Sequence, residues 1–397
     1  MEWKTAWSYC PINYDTTIGS VSDLTQRTYF KNNISGNKIK LKFSNIYAKE
    51  DLTLDKVVVG FRKNNDKEIS NFINVTYQGK EKIVIKSGEE FYSDDIDFDI
   101  LAGDEFVISM YVKDKTNIQS ACSTWAARSW HTEYIKGGDF TETQNIAGEK
   151  SEDIFPFVKA DVNKSNIVFG ISEIKVFTNK NIATVVLFGD SITHMSYYYD
   201  ALIERIYSKY PDEITFINRG IGGNRVLNDA TYIESIDGKG KFFGEAAIKR
   251  FANDVLREKP DAVFILEGVN DIMHPYQFDH MHEVITAEDL INGMKTLIDK
   301  LHSINSRVYL GTIMPFFNEE FTWMTEGEVT RIAYNSWIRQ QKITDGIIDF
   351  DKAIRDKDDE HYMNNKTHIG DGLHPNVEGG KVMADLVKLE YLGLKGE

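Results

Sequence analysis

Cysteine is scarce in this chain of 397 residues: Cys10 and Cys122 are the only two. Neither stands at a metal-ligand spacing, and they read as two buried thiols in a reducing compartment rather than as a disulfide pair. No apolar run approaches the length of a membrane span, so no membrane partner is expected. Positive charge is in deficit. Lys and Arg number 46 against 61 Asp and Glu, a net charge of −15. That balance argues against a nucleic-acid surface and favours, if anything, a neutral or cationic substrate. The opening Met1-Glu2-Trp3-Lys4-Thr5-Ala6-Trp7 has neither the basic nor the apolar region of a signal peptide, so a cytoplasmic location is expected, or a secreted one if a leader has been removed. Internal repeats and low-complexity segments are also missing.

What is present belongs to a globular protein, 42% hydrophobic and 27% charged, with a length that suggests two domains. Residues 1–178 alternate polar and apolar side chains in the manner of strands. Lys38–Phe43, Lys82–Lys86, Asp97–Ile100 and Phe106–Val112 show it, and Val57–Phe61 and Ile167–Ile171 read as more deeply buried strands. Turn signals at Asn64-Asn65-Asp66, Ser87-Gly88 and Ala102-Gly103-Asp104 separate them. An antiparallel β-sandwich of jelly-roll type is expected. Trp125, Trp130, His131 and Tyr134 fall in a loop-like stretch, read as packing against the second domain in preference to a sugar-stacking platform. The acidic run Ser93–Asp97 reads as a solvated strand face, since it lacks the spacing of a calcium loop.

After Lys175–Asn181 the pattern changes to strand alternating with helix. Strands are expected at Val185–Phe188, Ile214–Ile217, Ala262–Leu266, Val308–Thr312 and Ile347–Phe350. Helices are expected at Tyr197–Lys209, Glu245–Glu258, Ala287–Ser303, Glu328–Gln341 and Val377–Leu392. The third helix opens with Thr286-x-x-Asp289, which resembles a capping box. Residues 179–397 therefore form a three-layer α/β/α domain with a parallel sheet, close to flavodoxin-like.

Ligands of such sheets bind outside the carboxyl ends of the strands. Four polar segments fall at strand ends or helix starts: Gly189-Asp190-Ser191, Asn218–Arg225, Glu267–Asp271 and Asp371–Asn376. A serine hydroxyl is a weak nucleophile that needs a base, and a tetrahedral oxyanion needs preorganised donors. Ser191 is the candidate nucleophile and His374 its base, with Asp371 to fix the histidine tautomer. Ser191 N–H, Gly223 N–H (or Gly222) and the Asn270 amide are the candidate oxyanion donors. No Gly-x-Ser-x-Gly elbow surrounds any serine, which argues against an α/β-hydrolase.

These four ordered segments resemble the blocks of the SGNH (GDSL-type) hydrolase family. Gly189-Asp190-Ser191, Gly223, Gly268-Val269-Asn270-Asp271 and Asp371-Gly372-Leu373-His374 carry the likeness. The resemblance implies a serine esterase or acylhydrolase without metal or organic cofactor. The layout is also similar to two-domain bacterial carbohydrate O-acetylesterases, which implies removal of acetyl from a sugar or oligosaccharide. A lipase-like or lysophospholipase-like acylhydrolase is the alternative, suggested by the apolar loop residues Met314, Phe316, Phe317, Phe321 and Trp323. A glycan-binding protein with a weakly active hydrolase fold is the other. His194 stands where related sequences often carry an acid. Asp190, His194, Asn224, Arg225 and Glu267 are further substrate-pocket candidates. His274, His280 and His282 are placed in a surface loop after the third strand, in preference to a lid or metal cluster. A homo-oligomer stays open.

Overall fold

The computed structural model describes residues 1–63, 68–144, 149–150, 154–155, 166–317 and 324–395. The turn expected at Asn64-Asn65-Asp66 and the side chains of Phe321 and Trp323 lie outside them. The chain divides into two compact units, Met1–Ile182 with Ile206–Ile217, and Ala183–Arg205 with Asn218–Glu397.

The first unit is antiparallel. One sheet of seven strands is built around Gly36–Ser44 and Asn166–Thr178; a second of six runs through Trp130–Lys136, Leu24–Lys31, Glu105–Val112 and Lys56–Arg62. Aromatic rings join them. Trp7 lies 4.5 Å from Phe30 and 5.7 Å from Trp130, and Tyr9 lies 5.3 Å from Trp130. Such tilted and edge-to-face pairs add to the area they bury. Gln26 also bridges the sheets, donating to the Phe169 carbonyl and accepting from its N–H.

Two expectations change here. Trp130, His131 and Tyr134 lie in a strand, Trp130–Lys136, and not in a loop. Trp130 is buried in the first unit's own core, His131 stacks on Tyr29 at 4.6 Å, and the Tyr134 hydroxyl donates to the Ile167 carbonyl. Strand Leu24–Lys31 escapes pattern reading because Gln26, Arg27 and Thr28 are buried polar residues that break the alternation. Arg27 is tolerated there because Ser109 and the Phe140, Thr141 and Thr143 carbonyls accept its N–H groups. Cys10 and Cys122 are both buried thiols.

A five-stranded sheet has the order Ile214–Gly220, Ala183–Gly189, Ala262–Leu266, Arg307–Gly311 and Gly346–Ile348. Numbered along the chain this is 2-1-3-4-5, the flavodoxin-like order, whose switch point falls between the first and third strands. The pairings from Ala183–Gly189 through Gly346–Ile348 are parallel. All seven residues of Ile214–Gly220 and all five of Ala262–Leu266 are buried, as a sheet covered on both faces requires. Helix Ala287–Ser303 starts with the capping box: the Thr286 hydroxyl accepts from Asp289 N–H and the Asp289 carboxylate from Thr286 N–H.

Several elements end early. The last expected strand stops at Ile348 because Asp349 caps a short helix, Phe350–Ile354. The last helix stops at Asp385, before a 3-10 turn at Leu389–Leu392. His274 is not in a surface loop: it is buried within an unforeseen helix, Val269–Gln277, that starts at Asn270's own strand end. Among the described residues no helix is long and apolar enough to cross a membrane.

Candidate active site

The register of the parallel sheet sets the site. Gly189 pairs with Leu266, so the first and third strands end level with one another. Close packing demands the glycine, since a Cβ at 189 would lie 2.3 Å from the Leu266 carbonyl oxygen and 2.4 Å from Thr193 Oγ1. Beyond it, Asp190 caps the short helix Ser191–His194 by accepting from Ile192 N–H at 2.9 Å. Ser191 is the first residue of that helix.

His374 reaches Ser191 from the opposite end of the unit's sequence. It lies in the turn before helix Val377–Asp385, which Asn376 caps through Gly379 N–H. Ser191 Oγ is 2.9 Å from His374 Nε2, and His374 Nδ1 is 2.6 Å from Asp371 Oδ2. The other Asp371 oxygen accepts from Leu373 and His374 N–H at 3.0 and 2.9 Å. Burial alone would raise the Asp371 pKa, but the hydrogen bond and charge of His374 and these two backbone donors bring it down to about 2. An ionised Asp371 can only accept, so His374 Nδ1 carries the proton and Nε2 is left to accept from the serine hydroxyl.

Ser191 N–H and Gly223 N–H are the two backbone candidates for the oxyanion. Among the described residues neither Ser191 N–H nor Gly223 N–H meets an acceptor. Gly223 has φ +74°, and a Cβ there would fall 1.9 Å from the Phe243 ring, so only glycine fits. The third candidate donor, Asn270, is buried and gives one amide hydrogen to the Asn224 carbonyl at 3.0 Å, which leaves the second hydrogen of its Nδ2.

Four of the five further pocket candidates are corrected. Asp190, Asn224, Arg225 and Glu267 are each at most 2% exposed and hold the site from beneath instead of lining it. Asn224 donates to the Phe243 and Glu245 carbonyls and accepts from Arg250 Nε. Arg225 is committed to Glu283 and the Asp229 carbonyl. Glu267 is buried with neither oxygen hydrogen-bonded, and burial beside Asp190 pushes its pKa well up. Burial likewise raises Asp190 to about 7 and Asp271 to about 6. Asp271 nonetheless accepts from Val226 and Leu227 N–H at 2.7 and 2.9 Å and so ties its helix to the glycine loop. His194 is buried, with its Nδ1 3.3 Å from where a Gly222 Cβ would stand.

Three residues that pattern reading passed over hold the site together. Arg250 donates to the Gly189 and Arg219 carbonyls as well as to Asn224, linking the ends of the first two strands to the glycine loop. His368 Nδ1 accepts from Gly370 and Gly372 N–H, both at 3.0 Å, and shapes the turn that presents Asp371. Phe243 backs Gly223. Arg250 was visible only as a polar position on an amphipathic helix, and His368 and Phe243 gave no pattern signal.

A strand-end serine in hydrogen-bond reach of a histidine is the arrangement of an acyl-transfer nucleophile and its base. Residues 187–382 match the GDSL-like Lipase/Acylhydrolase family, and the chain carries a domain of that family. Among curated proteins no sequence matches. Similar solved structures include LAE5, an alpha/beta hydrolase enzyme from the metagenome of Lake Arreo, Spain (21% identity, TM-score 0.41, covering 53% of this chain and 95% of that one). Axe2, an acetylxylan esterase from Geobacillus stearothermophilus, is 19% identical, with TM-score 0.40 over 54% of this chain and 95% of its own. A GDSL-like lipase from Bacteroides thetaiotaomicron VPI-5482 is 17% identical, with TM-score 0.38 over 52% and 87%.

Proposed function

We propose that this chain is a serine esterase that removes a short acyl group, acetyl above all, from a carbohydrate. The carrying observation is the continuous relay of Ser191 Oγ, His374 Nε2, His374 Nδ1 and Asp371 Oδ2 at 2.9 and 2.6 Å. In this reading Ser191 attacks the ester carbonyl as His374 takes its proton, and His374 then returns that proton to the leaving alcohol. Ser191 N–H, Gly223 N–H and the second Asn270 amide hydrogen stabilise the tetrahedral oxyanion. A water molecule deprotonated by His374 releases the acid from the acyl-enzyme. Asp371 stays ionised throughout and holds the imidazolium.

Two features favour a short acyl group on a polar acceptor. The Asp371 side chain is 37% exposed and Gly370 is exposed, which gives the histidine side a polar, open rim. Of the residues that suggested a lipid groove, Met314 and Phe316 are buried, and Phe317 packs on Tyr362 at 5.1 Å. These three are engaged in packing, and Phe321 and Trp323 lie outside the described residues.

Initial rates on p-nitrophenyl esters of increasing acyl length, beside Ser191→Ala, test the reading. The expected outcome is fastest turnover of acetate, loss by hexanoate, and a fall of several orders of magnitude in the variant. Rates that rise with chain length would instead favour a lipase-like enzyme. Acetylated oligosaccharides are the next substrates to try.

A further inference from the structure

We propose that His280, His282 and Glu283 form a binding site for a divalent transition-metal ion, Zn²⁺ in the first instance. The site stands on three observations that the ester chemistry does not use. One nitrogen atom from each histidine and a Glu283 carboxylate oxygen all lie within 4.8 Å of one another. His280 Nε2 lies 2.9 Å from the Tyr232 carbonyl oxygen, which can only accept, so Nε2 carries the hydrogen. In the neutral ring Nδ1 then holds a lone pair. Nδ1 is buried with no hydrogen-bond partner among the described residues, and Glu283 Oε2 lies 3.7 Å away.

A backbone carbonyl that fixes the tautomer and orientation of an imidazole is the usual outer partner of a metal-bound histidine. The His282 ring, 5.6 Å from that of His280, is exposed and can close on the ion by turning its side chain. Two imidazoles and a carboxylate leave the fourth position of a tetrahedral ion to water. This donor set suits zinc-like ions over Mg²⁺ or Ca²⁺, which prefer oxygen alone. Arg225 Nη1 donates to Glu283 Oε2 at 2.6 Å and orients the carboxylate, while its positive charge weakens the attraction of a cation.

Full-length protein stripped with a chelator would be titrated with ZnCl₂ by calorimetry and thermal melting, with MgCl₂ as control. The site requires one saturable equivalent of Zn²⁺ and a rise in Tm, with no response to Mg²⁺. In His282→Ala, whose exposed position leaves the metal-free Tm unchanged, affinity should fall at least tenfold. In His374→Ala it should persist, which separates this site from the catalytic histidine. Absence of saturable binding, binding unchanged in His282→Ala, or binding lost in His374→Ala would each overturn the proposal.

Discussion

Asn270 donates its side-chain amide to the main-chain carbonyl of Asn224 at 3.0 Å. One hydrogen is thereby fixed and the rotamer held, which also fixes the other, the proposed oxyanion donor. Asn224 is itself held, since Arg250 Nε donates to its Oδ1 at 2.8 Å. Preorganisation of this kind is what makes an oxyanion donor effective.

Replacing Asn270 with Ala should therefore lower kcat on p-nitrophenyl acetate by roughly 10²–10³-fold, with a smaller change in KM. The same kinetics on Asn270→Asp should show a comparable loss, because a carboxylate cannot donate. Full activity in Asn270→Ala would remove it from the oxyanion site.

Gly223→Ala meets both a left-handed backbone at φ +74° and the Phe243 ring at 1.9 Å. The backbone part alone costs roughly 1–3 kcal/mol. Chemical denaturation should show at least that loss, and a second change, Phe243→Ala, should recover the steric part only.

His368→Ala removes the acceptor shared by Gly370 and Gly372 N–H and loosens the turn that carries Asp371 and His374. A displacement of the base by a fraction of an ångström predicts a kcat loss on the order of tenfold to a hundredfold. Melting temperature should fall little, because the turn lies at the surface.

Asp190 and Asp271 have pKa values raised by burial to about 7 and about 6. Between the unfolded carboxylate value and these values the native state binds more protons than the unfolded chain, so stability falls as pH rises. Asp371 has the opposite sign, and its contribution, present above the unfolded pKa, is lost as pH falls through about 2. Tm should thus be higher near pH 5 than near pH 8. Asp190→Asn, which keeps an oxygen to cap the helix, should narrow that difference in calorimetric melts across the range.

Pattern reading reached the strands whose apolar residues run unbroken, such as Ala262–Leu266, and it reached the polar residues at their ends. Ser191 and His374, far apart in sequence, stand within 2.9 Å, and Ser191 was legible because ligands of such sheets bind beyond the carboxyl ends of the strands. Arg250 and His368 were not, since each acts by donating to or accepting from backbone groups brought near only by folding. The same reason explains Asn224, Arg225 and Glu267. Polar residues next to a motif look like pocket lining until burial shows them beneath it. Helix Val269–Gln277 was missed because Pro275 and His274 obscure its pattern, although both are buried inside it.

The central claim is that Ser191 becomes acylated with His374 as its base. Mass spectrometry after treatment with a fluorophosphonate, for wild type, His374→Ala and Ser191→Ala, tests it most directly. One adduct per chain is predicted, on the peptide containing Ser191, formed orders of magnitude more slowly in His374→Ala and absent in Ser191→Ala. An adduct on another residue, or labelling that is equally fast without His374, would contradict the account.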